Sequence, residues 1–163
     1  MFQPRRPDRP MRISSFRIST SILAAASMLF AASAVAQNTA PIKERQELME
    51  SNGDSAKAAS AMIKGEQPFD AAKAKQIFND IHGVAMKFGD YFPEDSKTGN
   101  ETEAAPAIWE QPEEFEAALT KFQEESATAM EASVEDLESF RQQFGMVAEN
   151  CKGCHEDFRI DDD

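Results

Sequence analysis

Apolar side chains recur at intervals of three and four residues through four stretches of the chain, which is the spacing of amphipathic helices. Over residues 41–64 the stripe is Ile42, Leu48, Met49, Ala56, Ala59, Met62 and Ile63, with the stem of Arg45, and Gly65 ends it. After Pro68 and an N-cap at Asp70, a second stripe runs through Ala71, Ala74, Ile77, Phe78, Ile81, Ala85 and Phe88 and stops before Tyr91-Phe92-Pro93. Residues 93–112 are rich in Gly, Asn, Thr, Pro and charge and show no such spacing. They read as one long loop, pinned by Ile108 and Trp109. Pro112 suits the first turn of a third helix, where Glu113, Glu114 and Glu116 complement the dipole and Phe115, Leu119, Phe122, Ala127 and Met130 form the apolar face. Ser133 with Asp136 three residues on resembles a capping box that opens a fourth helix, carrying Leu137, Phe140, Phe144, Val147, Cys151, Cys154 and Phe158. The pattern predicts an all-α chain folded as an antiparallel four-helix bundle.

The N-terminus has a different character. Arg5, Arg6, Arg9, Arg12 and Arg17 precede an apolar run over residues 22–36 that ends in Ala34-Val35-Ala36, the outline of a secretory signal peptide cleaved before Gln37. Met11 is an alternative start, and a retained anchor helix is the alternative reading of the run. Cleavage leaves residues 37–163 as one bundle domain and places it in the periplasm.

The chain has 17 Lys and Arg against 29 Asp and Glu. Without the leader the balance is 12 to 28. So acidic a surface excludes a nucleic-acid binder held by phosphate contacts, repels anionic membrane and steers towards basic partners. The bland reading, that the charge only keeps the protein soluble, stands beside it.

Both cysteines fall in Cys151-Lys152-Gly153-Cys154-His155, which is C-x-x-C-H, the attachment pattern of c-type haem. On a helix these residues stand at i, i+3 and i+4 and share one face, so two thiols can form thioethers while the imidazole reaches the iron. A thioredoxin-like site would open a helix after a strand, whereas this motif lies near a helix end with no strand before it. A structural zinc site needs four ligands, and beyond the motif only His82 is left as a soft or borderline one. A disulfide across so short a loop would stabilise little.

The chain resembles the class II cytochromes c, which comprise cytochrome c′ and its low-spin relatives. The resemblance rests on Arg45-Gln46-x-x-Met49, Lys64-Gly65 with Pro68-Phe69-Asp70, Phe92-Pro93, Thr102-Glu103-Ala104-x-Pro106-x-Ile108-Trp109, and Cys151-Lys152-x-Cys154-His155-x-x-Phe158-Arg159. It implies one covalent haem c near the C-terminus, with His155 as proximal ligand and Arg159 beside it. The residue four after Arg45, here Met49, would face the distal side. In low-spin members a Met from this region binds the iron and the protein carries electrons. In cytochrome c′ it crowds an open site that admits NO or CO. A soft thioether beside iron argues for ligation, and ordinary core filling is the bland alternative for Met49.

Cys151, Cys154, His155, Met49, Arg45 and Arg159 are therefore the candidate cofactor residues, with His155 and Met49 as metal ligands. Phe140, Phe144, Val147 and Phe158 are read as haem packing and core, and His82 as a surface or a satisfied histidine. The expected function is an exported, non-enzymatic carrier of single electrons that docks a basic redox partner. The alternative is a five-coordinate binder of NO or CO. The resemblance also implies a homodimer through the first two helices.

Overall fold

The structure is a computed structural model that describes residues 38–160; the predicted leader over residues 1–36 and the tail Asp161-Asp162-Asp163 lie outside the described residues. Four long helices follow the predicted stripes: α1 (Thr39–Ile63), α2 (Ala71–Phe88), α4 (Pro112–Glu131) and α5 (Leu137–Phe158), with a single-turn helix α3 (Ala107–Glu110) between α2 and α4. Each long helix packs on the next, and α5 returns to α1 over a thinner contact. The bundle is thus an antiparallel ring, least tightly closed between its first and last helices.

Local chemistry fixes the boundaries. Gly65 at φ +76° ends α1 with two crossed bonds, Gly65 N to Met62 O at 3.1 Å and Glu66 N to Ala61 O at 2.9 Å, satisfying carbonyls that the helix end would orphan. The Asp70 carboxylate accepts from Lys73 N at 3.0 Å and starts α2. Pro112 occupies the first turn of α4, followed by Glu113 and Glu114. The start of α5 differs from expectation. Asp136, not Ser133, is the N-cap, and it pairs reciprocally with Ser139 as Asp136 Oδ1 accepts from Ser139 N at 2.8 Å. Two overlapping Ser/Asp spacings were available, and the helix takes the one abutting its first apolar residue, Leu137.

The segment read as one structureless loop is also more ordered than predicted. It holds a 3₁₀ turn at Glu94–Ser96 as well as α3, and a further 3₁₀ turn at Gly89–Tyr91 carries the end of α2 towards it. Its sharpest bend puts Gly99, Asn100 and Glu101 at positive φ, and Gln46 of α1 clasps that bend through Asn100 O at 3.0 Å and Asn100 Nδ2 at 3.1 Å. Ile108 is buried, and Trp109 Nε1 donates to Phe92 O at 3.0 Å, so both pin the loop as expected.

Two apolar clusters divide the interior. The larger gathers Ala59, Met62, Ala74, Ile77, Phe78, Ile81, Phe140 and Val147, with the Phe78 and Phe140 rings 5.3 Å apart. On α4 the inward polar exception is Ser126, 1% exposed, whose hydroxyl lies 3.1 Å from His82 Nδ1. That contact leaves His82 satisfied within the fold, as read. The smaller cluster, Ile108, Phe115 and Phe158 with Phe92, Leu119 and Cys154 against it, marks the other end.

Candidate functional site

α5 carries Cys151, Cys154 and His155 on one face of its last two turns, and all three line a cavity bounded by α1, α4 and α5. It lies where the ring of helices is least closed, with about 1100 Å³ of free space, part of it continuous with solvent. α1 contributes Ile42, Arg45, Met49 and Asn52, one helical face. α4 contributes Phe115, Leu119 and Phe122, again at helical spacing. The structure brings all six sequence-predicted residues to this wall.

Both thiols are free. Burial pushes the Cys151 thiol up, and burial, then the charges of Cys151 and Asp157, push Cys154 up to about 11. Both remain protonated at neutral pH, the opposite of a redox-active C-x-x-C pair, whose nucleophile is a thiolate at a helix start.

Arg45 is 5% exposed and anchors the loop to α1. Its Nη1 donates to Tyr91 O at 2.6 Å and Ser96 Oγ at 2.9 Å, and its Nη2 to Ser96 O at 3.0 Å and Thr102 Oγ1 at 3.1 Å. The guanidinium also lies 4.7 Å from the Phe92 ring centroid. Every one of these acceptors is neutral, and among the described residues no carboxylate pairs with Arg45, so desolvation holds its pKa below the usual arginine value. A buried cation on a cavity wall without its own anion is expensive unless a ligand brings one.

Arg159 closes the rim. Its Nε stands 3.5 Å from Glu103 Oε2, and the backbone on either side bridges to the loop, Ala105 N to Phe158 O at 3.0 Å and Ile160 N to Glu103 O at 2.7 Å.

The packing expectation needs correction. Of the four residues read as haem packing and core, only Phe158 lines the cavity; Phe140, Phe144 and Val147 are core alone, in the larger cluster. A single stripe on α5 runs through both regions, so spacing could not separate them. The reading also missed the wall from α4 and the two amides, Asn52 of α1 and Asn150 of α5. The α4 signal was present in Phe115, Leu119 and Phe122. For the amides there was none.

A haem c fits what is here: two free thiols for its edge, an imidazole beside them, apolar walls for the ring, and the buried cation of Arg45 on the cavity wall as a counter-charge for an anionic group.

The sequence matches the family model described as Cytochrome C′ over residues 40–159. It is 39% identical over 126 residues to a cytochrome c′ of Rhodopseudomonas palustris, covering 77% of this chain and 85% of that one. A cytochrome c-556 of Agrobacterium fabrum is 33% identical over 119 residues, covering 73% and 80%. The solved structure of cytochrome c′ from Rhodopseudomonas palustris superimposes with a TM-score of 0.73 at 34% identity, covering 77% of this chain and all of that one. The chain belongs to the cytochrome c′ family, a four-helix bundle with one covalent haem c.

Proposed function

We propose that this is an exported carrier of single electrons, with haem c joined through Cys151 and Cys154, His155 as its proximal ligand and Met49 as its sixth. The carrying observation is that Met49 of α1 lines the same cavity as His155 of α5, on the facing helix. The haem supplies a one-electron ferric/ferrous couple. The chain supplies the rest. The aromatic and aliphatic side chains of α4 keep water from the ring, and the Arg45 guanidinium compensates negative charge brought into a dry site. Arg159 with Glu103 ties the last turn of α5 to the loop and so fixes the helix that bears His155. These groups bind and orient, and membership of the cytochrome c′ family supports a carrier that is not an enzyme.

The second reading leaves Met49 as a crowding side chain and admits NO or CO on that face. The 39% identical relative bearing the name cytochrome c′ supports it, as the c-556 relative supports the first. Absorption spectra of the oxidised and reduced holoprotein, the latter with and without CO, separate the two. A low-spin spectrum insensitive to CO in the wild type, turning CO-sensitive in Met49→Leu, supports ligation. A high-spin wild type that shifts with CO overturns it and favours gas binding.

Export rests on the basic-apolar leader, cleaved at residue 36 to give the domain 37–163 in the periplasm. Among the described residues, no helix is long and apolar enough to cross a membrane. The redox partner is basic, to match the acidic surface. A homodimer would join copies through α1 and α2, whose exposed acids Glu44, Glu47, Glu50, Asp54 and Asp80 are matched by Lys43, Lys57, Lys73, Lys75 and Lys87, so its association strengthens with salt only if the net acidity of the rest of the surface opposes it. Sedimentation at two ionic strengths reads this.

A further inference from the structure

On the outer side of the cavity wall, α4 and the loop bound a second groove that includes Glu94, Trp109 and Glu116. Phe92, Ile108, Phe115 and Leu119 line both the groove and the cavity, so one layer of side chains separates them. We infer that this groove is where the redox partner docks, its occupant a lysine-bearing basic surface. The inference rests on the electron-carrier reading and names the surface that serves it.

Three features specify the occupant. The floor is aromatic, with Phe92 and Trp109 6.0 Å apart between ring centroids, and such faces attract ammonium groups. The rim is acidic, since Glu94 and Glu116 are exposed and Glu110, Glu113 and Glu114 are exposed beside them. The protein's own Lys97 demonstrates the chemistry, its Nζ lying 5.6 Å from the Trp109 ring centroid and 2.6 Å from Glu94 Oε2. Aromatic side chains, Trp above all, are also enriched where docking energy concentrates. A partner seated there stands closer to the haem cavity than one seated on the core end, where Phe78 and Phe140 fill the interior.

The test is stopped-flow electron exchange between the holoprotein and a lysine-rich mitochondrial cytochrome c, in whichever direction the potentials drive. Glu94→Gln/Glu116→Gln slows the second-order rate several-fold at low ionic strength and flattens its salt dependence. The control Glu131→Gln/Glu135→Gln, equal in charge but at the far end of α4 and in the link that follows it, leaves it nearly unchanged. Lys97→Gln uncovers Trp109 and frees Glu94, and moves the rate the other way. Exchange with a small neutral reductant is the same in all variants. Equal slowing by both double variants, or by neither, overturns the docking site and leaves the carrier reading intact. A wild type that exchanges electrons with neither the probe protein nor the small reductant overturns the carrier reading and the docking site with it.

Discussion

Replacing Arg45 with leucine tests whether the loop is held by this one side chain. The substitution removes four donated bonds of 2.6 to 3.1 Å at once. Their acceptors do not suffer equally. Ser96 is fully buried, so its carbonyl is left without a donor, while its hydroxyl keeps the bond to Pro93 O at 2.9 Å. Tyr91 and Thr102 are half-buried and can turn to water. An orphaned buried carbonyl costs about 1–3 kcal/mol. The lost cation over the Phe92 ring adds about 1–2 kcal/mol. Against these stands the relief of guanidinium desolvation, the cause of its lowered pKa. The net expectation for Arg45→Leu is a loss of roughly 2–4 kcal/mol, a large part of the stability of a domain this size. Arg45→Lys keeps the charge but loses the two-pronged donor geometry and falls between. Denaturant titration of the holoprotein measures both, as a lowered midpoint at constant slope. If Arg45→Leu stays within about 1 kcal/mol of wild type, or Arg45→Lys costs as much as leucine, the clamp does not hold the loop as described.

Phe78→Ala empties the centre of the larger cluster, where Phe78 is 2% exposed against Phe140, and should cost about 3–5 kcal/mol in the same titration without moving the visible haem spectrum. Gly65→Ala forces a side chain into φ +76° and should cost about 1 kcal/mol, with no steric neighbour to blame because nothing lies within 4 Å of a Cβ there. Asp136→Ala removes the α5 N-cap. The Asp136 carboxyl is held below its ordinary value chiefly by the bonds from Ser139, so its contribution is present at neutral pH and fades as pH falls through the carboxylate range. The Tm gap between Asp136→Ala and wild type should therefore close on acidification, as a pH series of thermal melts would read.

The helices were legible because each buries a stripe whose period is local, and so was the C-x-x-C-H face, whose three groups lie within five residues of one another. The site's other half was legible only through family resemblance. Nothing in the periodicity of α1 says that Arg45 reaches Tyr91, Ser96 and Thr102, 46 to 57 residues away. Those partners are ordinary loop residues whose role exists only once the chain is folded. Phe140 and Phe158 illustrate the same limit from the other side, since one stripe serves a solid core at one end of α5 and a cavity wall at the other.

That division along the bundle predicts what happens when the haem is never attached. In Cys151→Ser/Cys154→Ser the cavity keeps its walls but lacks the body that fills them, and close-packed interiors tolerate such space poorly. The loss concerns the end built by the smaller cluster, the loop and the last turns of α5. At the other end the packing of Ala59, Ile77, Phe78, Ile81 and Phe140 is complete without any cofactor, and Phe122 alone belongs both to that cluster and to the cavity lining. The loop meanwhile keeps its Arg45 and Gln46 anchors, which need no haem to form. The haem-free variant should therefore retain most of its helical far-ultraviolet signal, with amide exchange slow over residues 74–85 and 140–147 and fast over residues 149–160. Uniformly fast exchange and loss of helicity throughout would mean that the core cannot stand without the cofactor, and that the haem organises the whole bundle instead of completing one end of it.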